Sequence, residues 1–273
     1  MIKRIIKMLN EKKFKEKLNA IEFSDISNRF PKEYLTVNYE PLYSVFRTLD
    51  KQCVCFLDEN YRTDKNLVNC LNNLFIKETL AEKKEISFSD FNGVHCTRAN
   101  EFCSFESFMQ EQYERNKDEQ KYSDYETVKY EVFNTVSPVD SNPLKGAIIL
   151  TWSNKIYANT SNKSHRFALM CKMNELENRN DSYYFDITKY TLNENAKKEF
   201  LENYYGFIIK AETANKIIQA YSDNSLMTWK FYRPYWKSFN DDIIAFIFRK
   251  EKNYLTAFLK SENAICINTL LDS

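Results

Sequence analysis

The sequence predicts an α+β protein in which a mixed, largely antiparallel sheet is flanked by helices. Short apolar segments bounded by turn residues indicate hairpin-linked strands, and the clearest pair is 147–152 and 155–158, joined at Ser153-Asn154. Segments with apolar residues at intervals of three and four indicate amphipathic helices between the strands. Because hairpins outnumber strand–helix–strand units, antiparallel pairing is favoured over a parallel sheet.

The amino-acid composition excludes several classes of protein. Only 3 glycines occur among 273 residues, which excludes the glycine-rich phosphate loops of P-loop and dinucleotide-binding proteins. The formal net charge of +1 provides no overall field that would attract nucleic acid or an acidic membrane. No apolar run reaches the roughly 18 residues of a membrane span, and 7 cysteines without a secretory segment predict a cytoplasmic protein.

The N-terminal part of the chain, residues 1–80, is expected to form a lobe of helices and a strand. Residues 1–18 have the pattern of a basic amphipathic helix, which either docks its apolar stripe on the domain or touches a membrane surface, RNA or a partner. A strand is predicted at 52–57 and a helix at 67–80. The charged stretch that follows marks either a domain boundary, with 81–273 as the catalytic or ligand-binding domain, or a loop within one domain.

The remainder of the chain is predicted to alternate strands and helices. Strands are expected near residues 86–97, 128–136, 147–152, 155–158, 183–187, 205–209, 226–231 and 243–248. Helices are expected near residues 102–115, 164–176, 194–202 and 212–221.

The most informative segment runs from Trp152 to Met173, where a polar loop at 159–163 leads from a predicted strand into a predicted helix. A helix N-terminus offers unpaired N–H groups and a partial positive charge to an anion. Asn159, Lys163, Ser164 and Arg166 are therefore candidate ligand-binding residues for a phosphate, and His165 is a candidate catalytic residue. Ser164 is the expected N-cap. In the alternative interpretation Ser164 only caps, Arg166 makes a surface ion pair and His165 is structural.

Two resemblances involve this segment. The stretch from Trp152 to Cys171 resembles a motif ending in Ser-His-Arg-Phe-Ala that occurs in uncharacterised bacterial toxin and phage-defence proteins, including retron-associated ones. It implies a toxin, toxin–antitoxin or antiviral-defence setting, with a neutralising protein or nucleic-acid partner, and no particular reaction. The turn at Lys163 to Arg166 is also similar to that of ParB-like and sulfiredoxin-like domains, which implies binding of nucleotide phosphates, although Lys163 replaces their glycine and the turn has no acidic residue.

A third resemblance is to ADP-ribosyltransferases. The segment that begins at Gly93 and contains His95 and Arg98 is similar to their first motif, and the strand with Tyr157 before a serine-containing turn is similar to their second. The resemblance implies NAD as the ligand, with Arg98 among the binding residues, His95 bonded to a ribose and Tyr157 stacked on nicotinamide. A downstream acid would stabilise the oxocarbenium ion, and Glu212 is the best-placed candidate, although a glutamate in the first turn of a helix also has an ordinary stabilising role.

A non-catalytic function is the competing expectation. Residues 229–237 interleave aromatic and basic side chains, which suits single-stranded nucleic acid or a protein partner and equally suits an aromatic strand packed on the core. No metal site is expected, because the cysteines lack the Cys-x2-Cys spacing of zinc sites and are better explained as buried thiols. The expected substrate is a nucleotide or a nucleic acid.

Overall fold

The computed structural model describes residues 12–23, 35–37, 40–43, 65–95, 104–122, 124–134, 144, 146–222, 230–232, 243–250 and 253–272. The chain divides into two compact units. Unit 1 comprises residues 1–29, 44–74 and 194–273, and unit 2 comprises residues 30–43 and 75–193. One division falls close to the boundary expected near residue 81, but the N-terminal segment belongs to the same unit as the C-terminal one.

Helices and strands are interspersed along the described part of the chain. The helices are α1 (residues 12–19), α2 (Lys65–Asn73), α3 (Phe105–Asn116), α4 (Tyr125–Phe133), α5 (Ser164–Leu176), α6 (Glu194–Asn203), α7 (Ala211–Ser222), α8 (Asn253–Ser261) and α9 (Ile267–Asp272). The strands are β1 (Phe75–Thr79), β2 (Lys84–Ser87), β3 (Gly93–Val94), β4 (Gly146–Leu150), β5 (Lys155–Asn159), β6 (Ser182–Leu192), β7 (Tyr204–Lys210), β8 (Lys230–Tyr232), β9 (Ile243–Arg249) and β10 (Ile265–Cys266). Among these helices, none combines the length and the apolar character needed to cross a bilayer.

Unit 2 contains a six-stranded mixed sheet with the order β1-β6-β4-β5-β3, and β2 pairs with the first half of β6. β4 runs parallel to β6 and β3 runs parallel to β5, whereas β1, β2 and β5 pair antiparallel with their neighbours β6, β6 and β4. The predicted α+β class, with a mixed and largely antiparallel sheet flanked by helices, is confirmed. The turn between β4 and β5 places Asn154 at φ 56°, a conformation that asparagine tolerates better than most residues.

One face of this sheet is covered by α3, α4 and α5, with α5 in contact with both of the others. Inward-facing residues of the strands and helices form the main core there, in which Phe167 and Phe185 are fully buried. The helices start at polar caps: Ser104 Oγ accepts the N–H of Ser107 at α3, and the Asp124 carboxylate accepts two backbone N–H groups at α4. Capping and packing together fix the ends of α3 and α4 against the central helix α5.

The opposite face of the sheet is covered by residues 35–37 and 40–43. Val37, Tyr43 and Tyr157 are buried together there, and the Val94 N–H donates to the Leu35 carbonyl at 2.9 Å. At Gly93 the backbones approach so closely that a Cβ would lie 2.3 Å from the Leu35 carbonyl oxygen. The glycine therefore allows the segment 35–37 to lie against the edge of β3.

Unit 1 contains a four-stranded antiparallel sheet with the order β10-β7-β9-β8. Phe14 and Leu18 of α1 are buried in its core, together with Phe207 and Phe246 of the sheet. The described part of the basic N-terminal helix thus docks its apolar stripe on its own unit, which is the first of the two alternatives predicted for it.

Three predicted elements differ from the structure, and others cannot be compared. The strand expected near 86–97 is divided into β2 and β3 by a 3-10 turn at Phe88–Asp90. The segment 128–136, expected to be a strand, lies largely in α4, because Tyr125, Val128 and Val132 recur at helical spacing and are buried on one face. The predicted helix 67–80 ends at Asn73, since the chain then pairs with β6 as strand β1. The predicted strand 52–57 lies outside the described residues, as do 226–229 of another.

Candidate functional site

The first turn of α5 differs from the arrangement expected around Ser164. A 3-10 turn at Ser161–Lys163 runs directly into the helix. Ser164 has helical dihedral angles, φ −55° and ψ −41°, and is buried. It is therefore the first helical residue and not the N-cap, and the preceding Lys163 makes no side-chain capping bond.

Lys163 has a structural role in α4. Its side chain is buried, and its ammonium donates to the carbonyl oxygens of Glu131 at 3.1 Å and Val132 at 2.9 Å. These carbonyls lie at the C-terminal end of α4, where a cation is favourable. The expected role of Lys163 in holding a ligand phosphate does not fit this arrangement, because its donors face the helix end.

His165 lies between α5 and α3 and is exposed. Its Nδ1 is 3.1 Å from the Oε1 atom of Gln112, and its ring packs edge-on against Phe108. With Nδ1 donating to that carbonyl oxygen, Nε2 is left as an acceptor. Burial lowers the pKa of His165, Arg115 adds to the effect and Glu111 opposes it, so the neutral imidazole is favoured at neutral pH.

Two arginines lie close to His165 along these helices. Arg115 of α3, whose charge acts on His165, pairs with Glu111 at 2.7 Å, and Arg166, the next residue of α5, forms an ion pair with Glu131 of α4 at 3.3 Å. In each pair, one guanidinium nitrogen makes the shortest contact. A guanidinium has five N–H donors in all. Both arginines are partly exposed and retain donors that suit a phosphate. We name Glu111, Gln112, Arg115, His165 and Arg166 the His165 cluster.

Two buried polar atoms of the cluster have no hydrogen-bond partner among the described residues. They are Gln112 Nε2 and Glu111 Oε2. Gln112 is only 3% exposed. Whichever way the Gln112 amide is turned, one of its polar atoms faces His165 and the other is unsatisfied. Because buried polar groups are nearly always paired, these atoms point to a bound water or ligand at this site.

His95 and Asn159 come together on neighbouring strands. The His95 N–H donates to the Ala158 carbonyl at 2.7 Å, and Val94 is paired with Ala158, so His95 lies beside Asn159, which is exposed. Val94 and Ala158 belong to the core on the helix side. Since side chains alternate along a strand, His95 and Asn159 are directed to the opposite face of the sheet from His165.

The other residues suggested by the ADP-ribosyltransferase resemblance are Tyr157, Glu212 and Arg98. Tyr157 has no exposed surface, so its ring cannot stack on nicotinamide, and this part of the prediction is corrected. Glu212 is an exposed residue of α7 in unit 1, where the hydrogen bond from Lys216 lowers its pKa. Arg98 lies outside the described residues.

One buried acid was missed by the sequence analysis. Glu40 is 5% exposed on the sheet face opposite the helices, and its carboxylate accepts the N–H of Tyr43 at 2.5 Å and of Trp152 Nε1 at 3.1 Å. Burial raises its pKa to about 7, although both hydrogen bonds and Lys155 oppose the shift. No periodicity marks Glu40 as buried, because it lies in a short irregular segment.

Arg115, Glu111 and Gln112 were also missed. They lie in α3, some fifty positions before His165 along the chain, and only the packing of α3 on α5 brings them together. The one available signal is the i,i+4 spacing of Glu111 and Arg115, which is common on exposed helices.

No protein-family model, curated protein or solved structure matches this chain. The features that bear on function are therefore the geometry of the His165 cluster and the sequence motif that contains His165.

Proposed function

We propose that unit 2 binds and acts on a phosphate-bearing nucleotide at the His165 cluster, and that the protein is a toxin-like defence effector working in the cytoplasm. The observation that supports this most is the exposed His165 imidazole, oriented by Gln112, with Arg115 near it on α3 and Arg166 next to it in α5. A neutral imidazole with an available Nε2 suits a general base, and guanidinium groups suit phosphate.

The reaction class is transfer or hydrolysis on the nucleotide. NAD is one member of this substrate class, and its recognition would have to use residues other than the buried Tyr157. His165 would accept a proton from the attacking group, while the arginines hold the phosphate and stabilise charge that develops on its oxygens. A neutralising protein or nucleic acid would hold the effector inactive in its host.

A binding experiment tests the phosphate site directly. The chain has only 2 histidines, so their Cε1 protons give two resolvable NMR signals, assigned with a His95→Gln variant. Adding a nucleoside monophosphate or NAD should shift the His165 signal, whereas the matching nucleoside should not. Arg166→Ala should weaken the effect at least tenfold, since it removes one of the two guanidinium groups.

Arg179→Ala is the matched control. Arg179 has a side chain 35% exposed and forms ion pairs with Glu126 and Glu177, whereas the Arg166 side chain is 37% exposed. This control should bind the nucleotide normally. Equal responses to nucleoside and nucleotide, or unchanged binding by Arg166→Ala, would remove the proposed phosphate site.

Expression in a bacterial host tests the toxin proposal. Growth inhibition should occur with the wild-type protein and with Arg179→Ala and should be lost with Arg166→Ala, provided that circular dichroism shows all three to be folded. Toxicity that persists unchanged in Arg166→Ala would contradict the proposal. Nucleotide or nucleic-acid binding that is salt-sensitive and gives no product would favour the alternative, a non-catalytic binding module.

A further inference from the structure

The His165 cluster provides groups for proton transfer and for charge stabilisation but no side-chain nucleophile. Its members are two arginines, a glutamate, a glutamine and a histidine, and the adjacent Ser164 is buried. The attacking group must therefore come from the substrate or from water. A nucleophile already attached beside the phosphate has a large advantage, because effective molarities of well-placed intramolecular groups are very high.

The location of the cluster favours a polymer over a small enclosed ligand. His165 is an exposed residue between two helices, and the side chains of Arg115 and Arg166 are 64% and 37% exposed. Small-ligand sites usually bury most of their ligand in a cleft. A strand of nucleic acid laid across the surface between α3 and α5 needs no such enclosure, because its phosphates and bases make contacts along its length.

We infer that the His165 cluster cleaves RNA by attack of a ribose 2′-hydroxyl on the adjacent phosphate, an inference that rests on the proposed function and narrows its substrate to RNA. His165 Nε2 accepts the proton of the 2′-hydroxyl as its oxygen bonds to phosphorus. The bond between phosphorus and the 5′-oxygen breaks, and the imidazolium returns the proton to that oxygen. The products are a 2′,3′-cyclic phosphate and a free 5′-hydroxyl, with no oxidant, reductant or water consumed.

Each member of the cluster then has a defined part. Arg115, whose charge acts on His165, and Arg166, the next residue of α5, bind the phosphate and stabilise the charge that its equatorial oxygens gain. Gln112, buried and in contact with Nδ1, is a positioning residue that orients the ring. Glu111 is a positioning residue as well, since its charge stabilises the imidazolium that forms when His165 takes the proton.

The unsatisfied polar atoms support the same site independently of the arginines. Gln112 Nε2 and Glu111 Oε2 are buried in the cluster without a hydrogen-bond partner, so a donor and an acceptor there are unsatisfied by the protein. Glu111 and Glu131 neutralise part of the arginine charge. We therefore expect RNA binding that is modest and weakens with added salt.

The test uses the purified full-length chain and three labelled single strands of one mixed sequence: RNA, DNA, and RNA with a 2′-O-methyl group at every position. Only the unmodified RNA should be cut, and its 5′ fragments should end in a 2′,3′-cyclic phosphate by mass spectrometry. His165→Gln should reduce the rate by about 100- to 10,000-fold. The Arg179→Ala control, purified identically, should keep full activity. A contaminating nuclease would cut equally in both preparations, so loss of cleavage in His165→Gln alone excludes it.

The pH profile tests the positioning role of Glu111. Because Glu111 raises the pKa of His165, Glu111→Gln should move the acid limb of the rate profile to lower pH, which a merely structural effect would not do. An unmoved acid limb would refute that role. Cleavage of the DNA or of the 2′-O-methyl strand would overturn the inference, because attack would then come from water.

The failures of the two proposals can be told apart. If a nucleotide shifts the His165 signal and all three strands stay intact, the RNA inference is refuted while the phosphate site stands. If neither binding nor cleavage occurs in a folded protein, both are refuted.

Discussion

Replacing Glu40 by glutamine should remove a pH dependence that this carboxyl imposes on the stability of unit 2. Burial raises its pKa from an ordinary 4.5 to about 7, so over this range the folded protein binds a proton that the unfolded chain has released. The stabilisation linked to that proton is fully present below pH 4.5 and is lost as the pH rises through 7.

The magnitude follows from the size of the shift. Each pKa unit corresponds to about 1.4 kcal/mol, which gives a total linkage of about 3 kcal/mol for Glu40. Between about pH 5.5 and pH 8, away from the titration of ordinary carboxyls, the wild-type protein should lose about 2 kcal/mol of unfolding free energy through this group. The glutamine of the Glu40→Gln variant does not titrate. The difference in unfolding free energy between the variant and the wild type should therefore change by about 2 kcal/mol over the same pH range.

Urea unfolding at several pH values measures the effect. Tryptophan fluorescence is a suitable probe, because Trp152 donates its indole N–H to Glu40. Asp186→Asn is the control, since the Asp186 side chain is 58% exposed, and its profile should run parallel to that of the wild type. Parallel profiles for Glu40→Gln and the wild type would refute the raised pKa and the burial on which it depends.

Two further substitutions test the packing around the sheet. Gly93→Ala should destabilise the protein by about 2 to 3 kcal/mol, because its Cβ would lie 2.3 Å from the Leu35 carbonyl oxygen. The control Gly146→Ala, whose Cβ would have its nearest contact with a side-chain atom at 3.2 Å, should destabilise it by less than about 1 kcal/mol. Equal losses of stability in thermal unfolding would contradict this prediction. Lys163→Met should lower the unfolding free energy by about 1 to 3 kcal/mol, because it removes the donor to the Val132 carbonyl. The folded variant should bind a nucleotide with unchanged affinity in calorimetry. Lost affinity without lost stability would restore a ligand role for Lys163.

The sequence predicted well the elements whose signals are local. Helix α5 begins and ends where the apolar run and the polar turn before it indicated, and the hairpin of β4 and β5 follows the Ser153-Asn154 turn. Helix α4 was misinterpreted because its valines and aromatic residues, including Val132 and Phe133, favour strands in isolation. Packing on α5 gives them a helical environment instead.

Of the His165 cluster, only the residues that lie in α5 were predicted from the sequence. His165 and Arg166 were found because they adjoin a polar turn, whereas Arg115 and Gln112 come from a distant part of the chain and meet them through tertiary packing. The burial of Tyr157 was missed for a related reason. Both faces of the sheet are covered at β5, so Tyr157 and Ala158 are both inside, and the alternation that would distinguish an exposed face is absent.

The discontinuous make-up of unit 1 has a consequence for the nascent chain. Phe14 and Leu18 are synthesised before the whole of 75–193, whereas their partners Phe207 and Phe246 are synthesised after it. The sheet of unit 2 can therefore form while the apolar stripe of α1 has not yet been buried. During that interval the stripe is exposed, and it can bind a chaperone or associate with a second nascent chain.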